Sequence, residues 1–196
     1  MIREGRYRYE ILRGGETVAV EEAELRAGEL QCVRRSADGM SRYEAHASFD
    51  ADGRIVRLVA RYSRGPFSRS ATYEAGDDFL RGSVSAMGAR TVETAKLGRF
   101  REIDAGMVVF KALIVSHARE RGQLRWTGRV VLIDPNTLIP ASIKQTCRQK
   151  DESGLLWIYE PRMGDSEEIR FDETGRLVSL TDNRGTVARL AAGPQE

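Results

Sequence analysis

The feature that most constrains this chain is a turn signal returning about every ten residues, broken only once, over residues 105–121. Short alternating runs separated by Gly, Asn and Asp suit antiparallel hairpins, because strand side chains alternate faces and the partner returns through a tight turn. The unbroken segment, AGMVVFKALIVSHARER, reads instead as the one helix. Asp104 stands at its N-cap position, His117, Arg119 and Arg121 where cations complement a helix C-terminus, and Gly122 where a left-handed stop belongs. Met107, Val108, Val109, Phe110, Ala112, Leu113, Ile114 and Val115 fall nearly all round the axis, interrupted by Lys111. A helix apolar on most sides must be wrapped. Its β-branched residues also suit a strand, but length and end signals favour the helix.

The runs before it predict hairpins. Residues 7–12 and 17–26 pair across Gly14 and Gly15, while Glu21-Glu22-Ala23-Glu24-Leu25 leaves both a bulged strand and a short helix open. After a strand at 30–35 comes the clearest alternation, with Tyr43, Ala45, Ala47 and Phe49 on one face and Arg42, Glu44, His46 and Ser48 on the other. Leu58, Ala60 and Tyr62 repeat it beyond the next turn. Ala45, Ala47 and Ala60 leave room over the sheet centre, and Tyr43, Phe49 and Tyr62 close its ends. Further strands are expected at 67–73, 79–87, 91–97, 124–133, 139–148, 155–160, 167–171, 176–181 and 186–190.

Four turns, Asp50 to Gly53, Asp151 to Gly154, Asp172 to Gly175 and Asp182 to Gly185, share one form, Asp accepting the turn amides and Gly taking the left-handed position. Single aspartates on separate hairpins do not make a calcium loop. The expectation is a mainly β fold: a single curved antiparallel meander sheet, half-barrel or β-roll, wrapped around one central α-helix at about 105–121. One domain should span residues 1–196, with an ordered core over about 6–191 and a short C-terminal tail.

Composition narrows the function classes. Acidic and basic residues nearly balance, 29 against 31, and are scattered, which argues against nucleic acid. His46 and His117 are the only histidines, and no nucleophile elbow, HExxH or phosphate-cradling glycine loop occurs. No catalytic residue, metal ligand or cofactor is therefore assigned; an enzyme reading would rest on Glu44 or His46. His117 reads as a helix-dipole partner, and Asp165, Glu167 and Glu168 as a solvated edge. Cys32 and Cys147 show no metal spacing, leaving one disulfide in an exported chain or two buried thiols in the cytosol. The N-terminus has no apolar leader, so the cytoplasm with reduced thiols is expected, the envelope being the alternative had a leader been removed. No apolar run is long enough to span a membrane.

Trp126, Trp157 and Tyr159 are the large residues of the second half and should lie inside. With Tyr43, Ala45, Ala47, Phe49, Leu58, Ala60, Tyr62, Phe110 and Ile114 they form the expected lining of a space between sheet and helix. Either that space holds an apolar or amphipathic molecule such as a lipid, in a non-catalytic binding protein, or the interior is packed in a structural or protein-interaction domain.

Residues 130–140, VVLIDPNTLIP, resemble a strand, turn, strand passage of bacterial envelope proteins of the LolA, LppX and RseB kind. Asp134 and Pro135 set the turn, Asn136 suits its left-handed corner, and Pro140 suits a strand start. The resemblance implies a curved half-barrel over a helix whose concave face receives acyl chains or a lipoprotein. It carries no binding residue across, since the matching positions are turn residues.

Overall fold

The computed structural model describes residues 4–161 and 166–192. Before the helix run β1 (Gly5–Arg13), β2 (Glu16–Arg26), β3 (Glu29–Ser36), β4 (Ser41–Phe49), β5 (Ile55–Arg64), β6 (Phe67–Ala75), β7 (Phe79–Ala86), β8 (Ala89–Lys96) and β9 (Glu102–Asp104). After α1 (Val108–Glu120) follow β10 (Arg125–Ile133), β11 (Pro140–Gln149), β12 (Leu156–Pro161), β13 (Glu167–Phe171), β14 (Leu177–Asp182) and β15 (Thr186–Ala192). The fifteen strands among the described residues belong to one sheet, ordered β8-β7-β6-β5-β4-β3-β2-β1-β15-β14-β13-β12-β11-β10-β9. It is the expected curved meander around one helix.

Pairing of β1 with β15 puts the two outermost strands of the chain at the middle of the sheet and makes β8 and β9 its edges. Neighbours run antiparallel except β9, three residues lying parallel to β10. The β8 side curls back on β10 and β11: Ser142 Oγ donates to the Lys96 carbonyl at 2.7 Å, and a Cβ on Gly98 would sit 2.4 Å from the Arg129 oxygen. Only glycine permits that approach.

Three of the four Asp-x-x-Gly turns behave alike. Asp172 Oδ1 accepts from the amides of Thr174 and Arg176 while Gly175 donates to the Asp172 carbonyl at φ +85°, and Asp50 and Asp182 repeat the pattern. The 134–139 turn departs from expectation, since its left-handed residue is Leu138 (φ 62°) and not Asn136. Asp134 Oδ1 takes the amides of Asn136 and Thr137, which postpones the corner to Leu138, whose side chain is fully buried.

The glutamate-rich run pairs residue for residue within β2, and the register shift lies just before it, where Ile11 and Leu12 pair with Ala19 and Thr17 and Val18 of β2 is the extra residue. Alternation places Glu21 on the inward face with Ala23 and Leu25. Tertiary pairing overrides local helix preference there.

The helix ends as its sequence requires. Gly122 (φ 64°) donates to the Arg119 carbonyl at 2.9 Å and Gln123 to that of Ala118 at 3.1 Å, the double hydrogen bond of a Schellman stop. Its start is three residues later than expected. Asp104 is the last residue of β9, the N-cap is Met107, and that residue has no side-chain capping bond. The exposed amides of a buried helix start need an acceptor from elsewhere.

Candidate functional site in the barrel interior and at its mouth

The inward face of the first half forms rows across the strands. Cys32, Ala45, Ala60, Ala71 and Val84 pair in succession from β3 to β7, and beside them Leu30, Ala47, Leu58, Tyr73 and Gly82. Gly82 is required because a Cβ there would stand 2.0 Å from the Thr72 carbonyl oxygen and 2.6 Å from the Tyr73 ring. Tyr43 pairs with Tyr62 one step nearer the end of the barrel that carries the β3–β4 turn.

Ten of the twelve expected lining residues are buried: Tyr43, Ala45, Ala47, Leu58, Ala60, Phe110, Ile114, Trp126, Trp157 and Tyr159. Phe49 and Tyr62 are partly buried against the same core. Ala47, Leu58, Ala60 and Phe110 are 0% exposed, so no water-sized void touches them. Within this structure the alanines are buried in one core together with α1. Val108, Val109, Ala112, Leu113, Val115 and Ala118 are buried too, as an all-round apolar helix demands.

Polar ties run from α1 to the second half of the sheet. Glu102, 4% exposed, accepts from Arg121 Nη2 at 3.3 Å and lies 3.1 Å from His117 Nδ1. His117 thus meets a carboxylate on β9 and not merely the helix end. Lys111, the single charge within the apolar run of the helix, pairs with Glu167. Burial raises the Glu167 carboxyl above the ordinary range despite Lys111, and Asp104 and Asp182 add to the rise. Its Oε2 has no hydrogen-bond partner. Glu167 is therefore no solvated edge. Glu168, facing outward, pairs with exposed Lys150, and Asp165 lies outside the described residues.

Tyr159 donates to Asp104 Oδ2 at 2.9 Å while Asp104 Oδ1 accepts from the Gly106 amide at 2.7 Å. At the helix start Glu21, 0% exposed, accepts the Val109 amide on Oε1 at 3.3 Å and binds Arg34 through Oε2 at 2.6 Å. A carboxylate from across the barrel does the work of an N-cap.

These groups are tied to each other and to α1. Burial pushes the Tyr159 phenol well up, with Asp104 adding to it, and does the same to Tyr43 and Cys147. Cys32 and Cys147 are separate buried thiols. His46 faces outward, 3.5 Å from Glu29. Glu21, Glu102, Lys111 and Glu167 escaped the sequence reading as interior charges; the signal for Glu21 was its alternation with Ala23 and Leu25.

The barrel opens where the β3–β4 and β10–β11 turns approach. A cleft of about 290 Å³ there is lined by Ala19, Arg34, Ser36, Ser41, Tyr43, Tyr62, Pro135 and Asn136. Tyr43 Oη donates to the Ala105 carbonyl at 2.8 Å, Tyr73 Oη to that of Leu138 at 2.7 Å, and Arg69 Nη1 to that of Asn136 at 2.6 Å. The last two bonds hold the β10–β11 turn against the opening, and the first holds the segment before α1.

Two solved structures share this fold. A DUF1089 family protein from Pseudomonas aeruginosa is 18% identical with a TM-score of 0.60, the match covering 85% of this chain and 91% of that one. A β-barrel-like protein of domain of unknown function DUF1849 from Brucella abortus is 13% identical with a TM-score of 0.61, covering 97% and 96%. At these identities the likeness is of fold alone. No protein-family model matches the chain. No curated protein matches it either. The neighbours bear out the curved β architecture of the expected resemblance and do not name the LolA, LppX and RseB group.

Proposed function

We propose that the protein is a non-catalytic binding module for an amphipathic, lipid-like molecule taken at the barrel mouth. One observation carries this reading: the mouth cleft sets Arg34, Ser36, Ser41 and Asn136 around Tyr43 and Tyr62, the residues that stand over the alanine rows. Polar groups at a rim with an apolar floor suit a molecule having a headgroup and a chain. A chain passing deeper than Tyr43 displaces core side chains from beside Ala45 and Ala60. No helix among the described residues is long and apolar enough to cross a membrane.

A second reading, an interaction domain with a packed interior, is favoured by the zero exposure of Ala47 and Ala60. Native mass spectrometry and titration with a fluorescent fatty acid separate the two. The binding reading expects adducts of several hundred daltons that vanish on denaturation, and Ser41→Trp, which fills the cleft, weakens fatty-acid binding by about tenfold or more. A clean protein mass together with no fatty-acid binding leaves the packed-domain reading.

A further inference from the structure

Three turns at one end of the sheet hold large apolar side chains out in solvent. Met40 before β4, Phe67 at the start of β6 and Met87 between β7 and β8 are 58%, 61% and 87% exposed. They form one row: the Gly65 amide donates to the Met40 carbonyl at 3.2 Å, joining the first two turns, and the pairing of Arg69 with Ala86 sets the second beside the third.

Met87 is there against backbone preference. Met87 (φ 50°) and Gly88 (φ 81°) both lie in the left-handed region, as in a two-residue hairpin turn that favours Asn-Gly or Gly-Gly. The β1–β2 turn has the same two left-handed positions, filled by Gly14 and Gly15. A methionine in that position strains the turn, and at its exposure no packing within the chain compensates.

Behind the tips the surface of β4–β7 carries a depression. A groove of about 650 Å³ has Arg42, Arg61, Arg69, Ser70 and Met87 among its walls, and Glu44 as its one carboxylate. Glu44 is paired with Arg42, and Arg69 spends one donor on the uncharged carbonyl of Asn136. Exposed Arg64 and Arg90 flank the tips. Asp38, the acid of the first turn, is turned back onto Ser36 and the Met40 amide.

We propose that this end of the sheet docks on the surface of an anionic lipid bilayer, Met40, Phe67 and Met87 entering the headgroup–acyl boundary while Arg61, Arg64, Arg69 and Arg90 meet lipid phosphates. Apolar tips alone equally suit a protein groove. The excess of arginine over carboxylate beside them selects an anionic surface, and shallow insertion explains three separate tips in a row. The surface stands whether or not the mouth takes a ligand.

Co-sedimentation of the full chain with phosphatidylcholine vesicles, with and without about 30 mol % phosphatidylglycerol, tests it. Binding is expected to the anionic vesicles, falling as salt rises. Combined Met40→Ser, Phe67→Ser and Met87→Ser should weaken it by about tenfold or more. Combined Arg61→Gln, Arg64→Gln and Arg90→Gln should abolish the preference for phosphatidylglycerol. Met87→Asn alone should raise the thermal midpoint, because Asn accepts the left-handed turn, while lowering vesicle binding; gain in one and loss in the other is not what misfolding gives. Fatty-acid binding at the mouth, measured on the same variants, should not change. The proposal is overturned if the parent stays in the supernatant with both vesicles, if the serine variant binds as the parent does, or if the tips pair two copies of the chain and vesicles recruit neither form.

Discussion

The sheet meets α1 with two unlike walls. From β4 to β6 it presents Ala45, Ala47, Ala60 and Ala71, side chains with nothing to hydrogen-bond. Across β9, β12 and β13 it presents Glu102, Asp104, Tyr159 and Glu167; Glu102 and Glu167 hold helix side chains, and Tyr159 holds Asp104 beside the helix start. The helix lies nearest the second wall, packing against β9, β12 and β14. Apolar contact is non-directional, so the alanine wall fixes how close the helix comes but hardly its rotation. Hydrogen bonds and ion pairs have geometry, so the charged wall sets which helix residue faces which strand. Each buried charge also carries a desolvation cost that only its partner offsets.

The largest effect should come from breaking the charged wall. Glu102→Ala leaves half-buried His117 and the more exposed Arg121 without their acceptor, and should cost about 3 kcal/mol, the low end for an orphaned buried pair because Arg121 keeps its water. A shift in the denaturant midpoint at unchanged slope is the signature. A change below about 1 kcal/mol would make the tie dispensable to helix placement, as a surface pair is.

Overfilling the alanine wall comes next. With Ala47 at 0% exposure, Ala47→Leu should destabilise by about 1–3 kcal/mol through overpacking. Unchanged stability would mean that the wall yields room, and would move the interior toward a ligand space.

The smallest effect is a pH dependence from Glu167. Its carboxyl is raised in the fold, chiefly by burial, so the folded state binds the proton more tightly than the unfolded chain does. Stability should therefore rise as pH falls from neutral through the raised value to the ordinary carboxylate range. Below that range it should fall, since hydrogen bonds from Ser153 and the turn amides lower Asp151, and those from Thr174 and Arg176 lower Asp172 in spite of partial burial. Glu167→Gln should flatten the rise and keep the acid-side fall; urea midpoints measured across pH read both. A parent protein whose midpoint does not change between neutral and mildly acidic pH would contradict a raised Glu167.

Much of the fold was written locally. The alternation at 43–49, the Asp-x-x-Gly turns and the Gly122 stop each depend on residues a few positions apart, and each has its expected form. The twelve expected lining residues do gather in one core for the same reason, since side-chain period alone decides which face of a strand or helix turns inward. Where a local signal had two uses, tertiary contacts chose: Asp104 suits an N-cap but joins β9, and Glu21 suits a helix but serves another helix from a strand.

The sequence by itself therefore determined the element types, their turns and a helix that must be wrapped, because those follow from spacing within one segment. Only the tertiary structure decided that β1 pairs with β15, that β8 and β9 are the edges, and that Glu21, Glu102 and Glu167 face α1. Those are meetings between residues 88, 15 and 56 positions apart, and a buried carboxylate reads in sequence like an exposed one until its partner is known. The apolar row of Met40, Phe67 and Met87 belongs with them: three unremarkable turn residues become one surface because the meander returns every second turn to the same end.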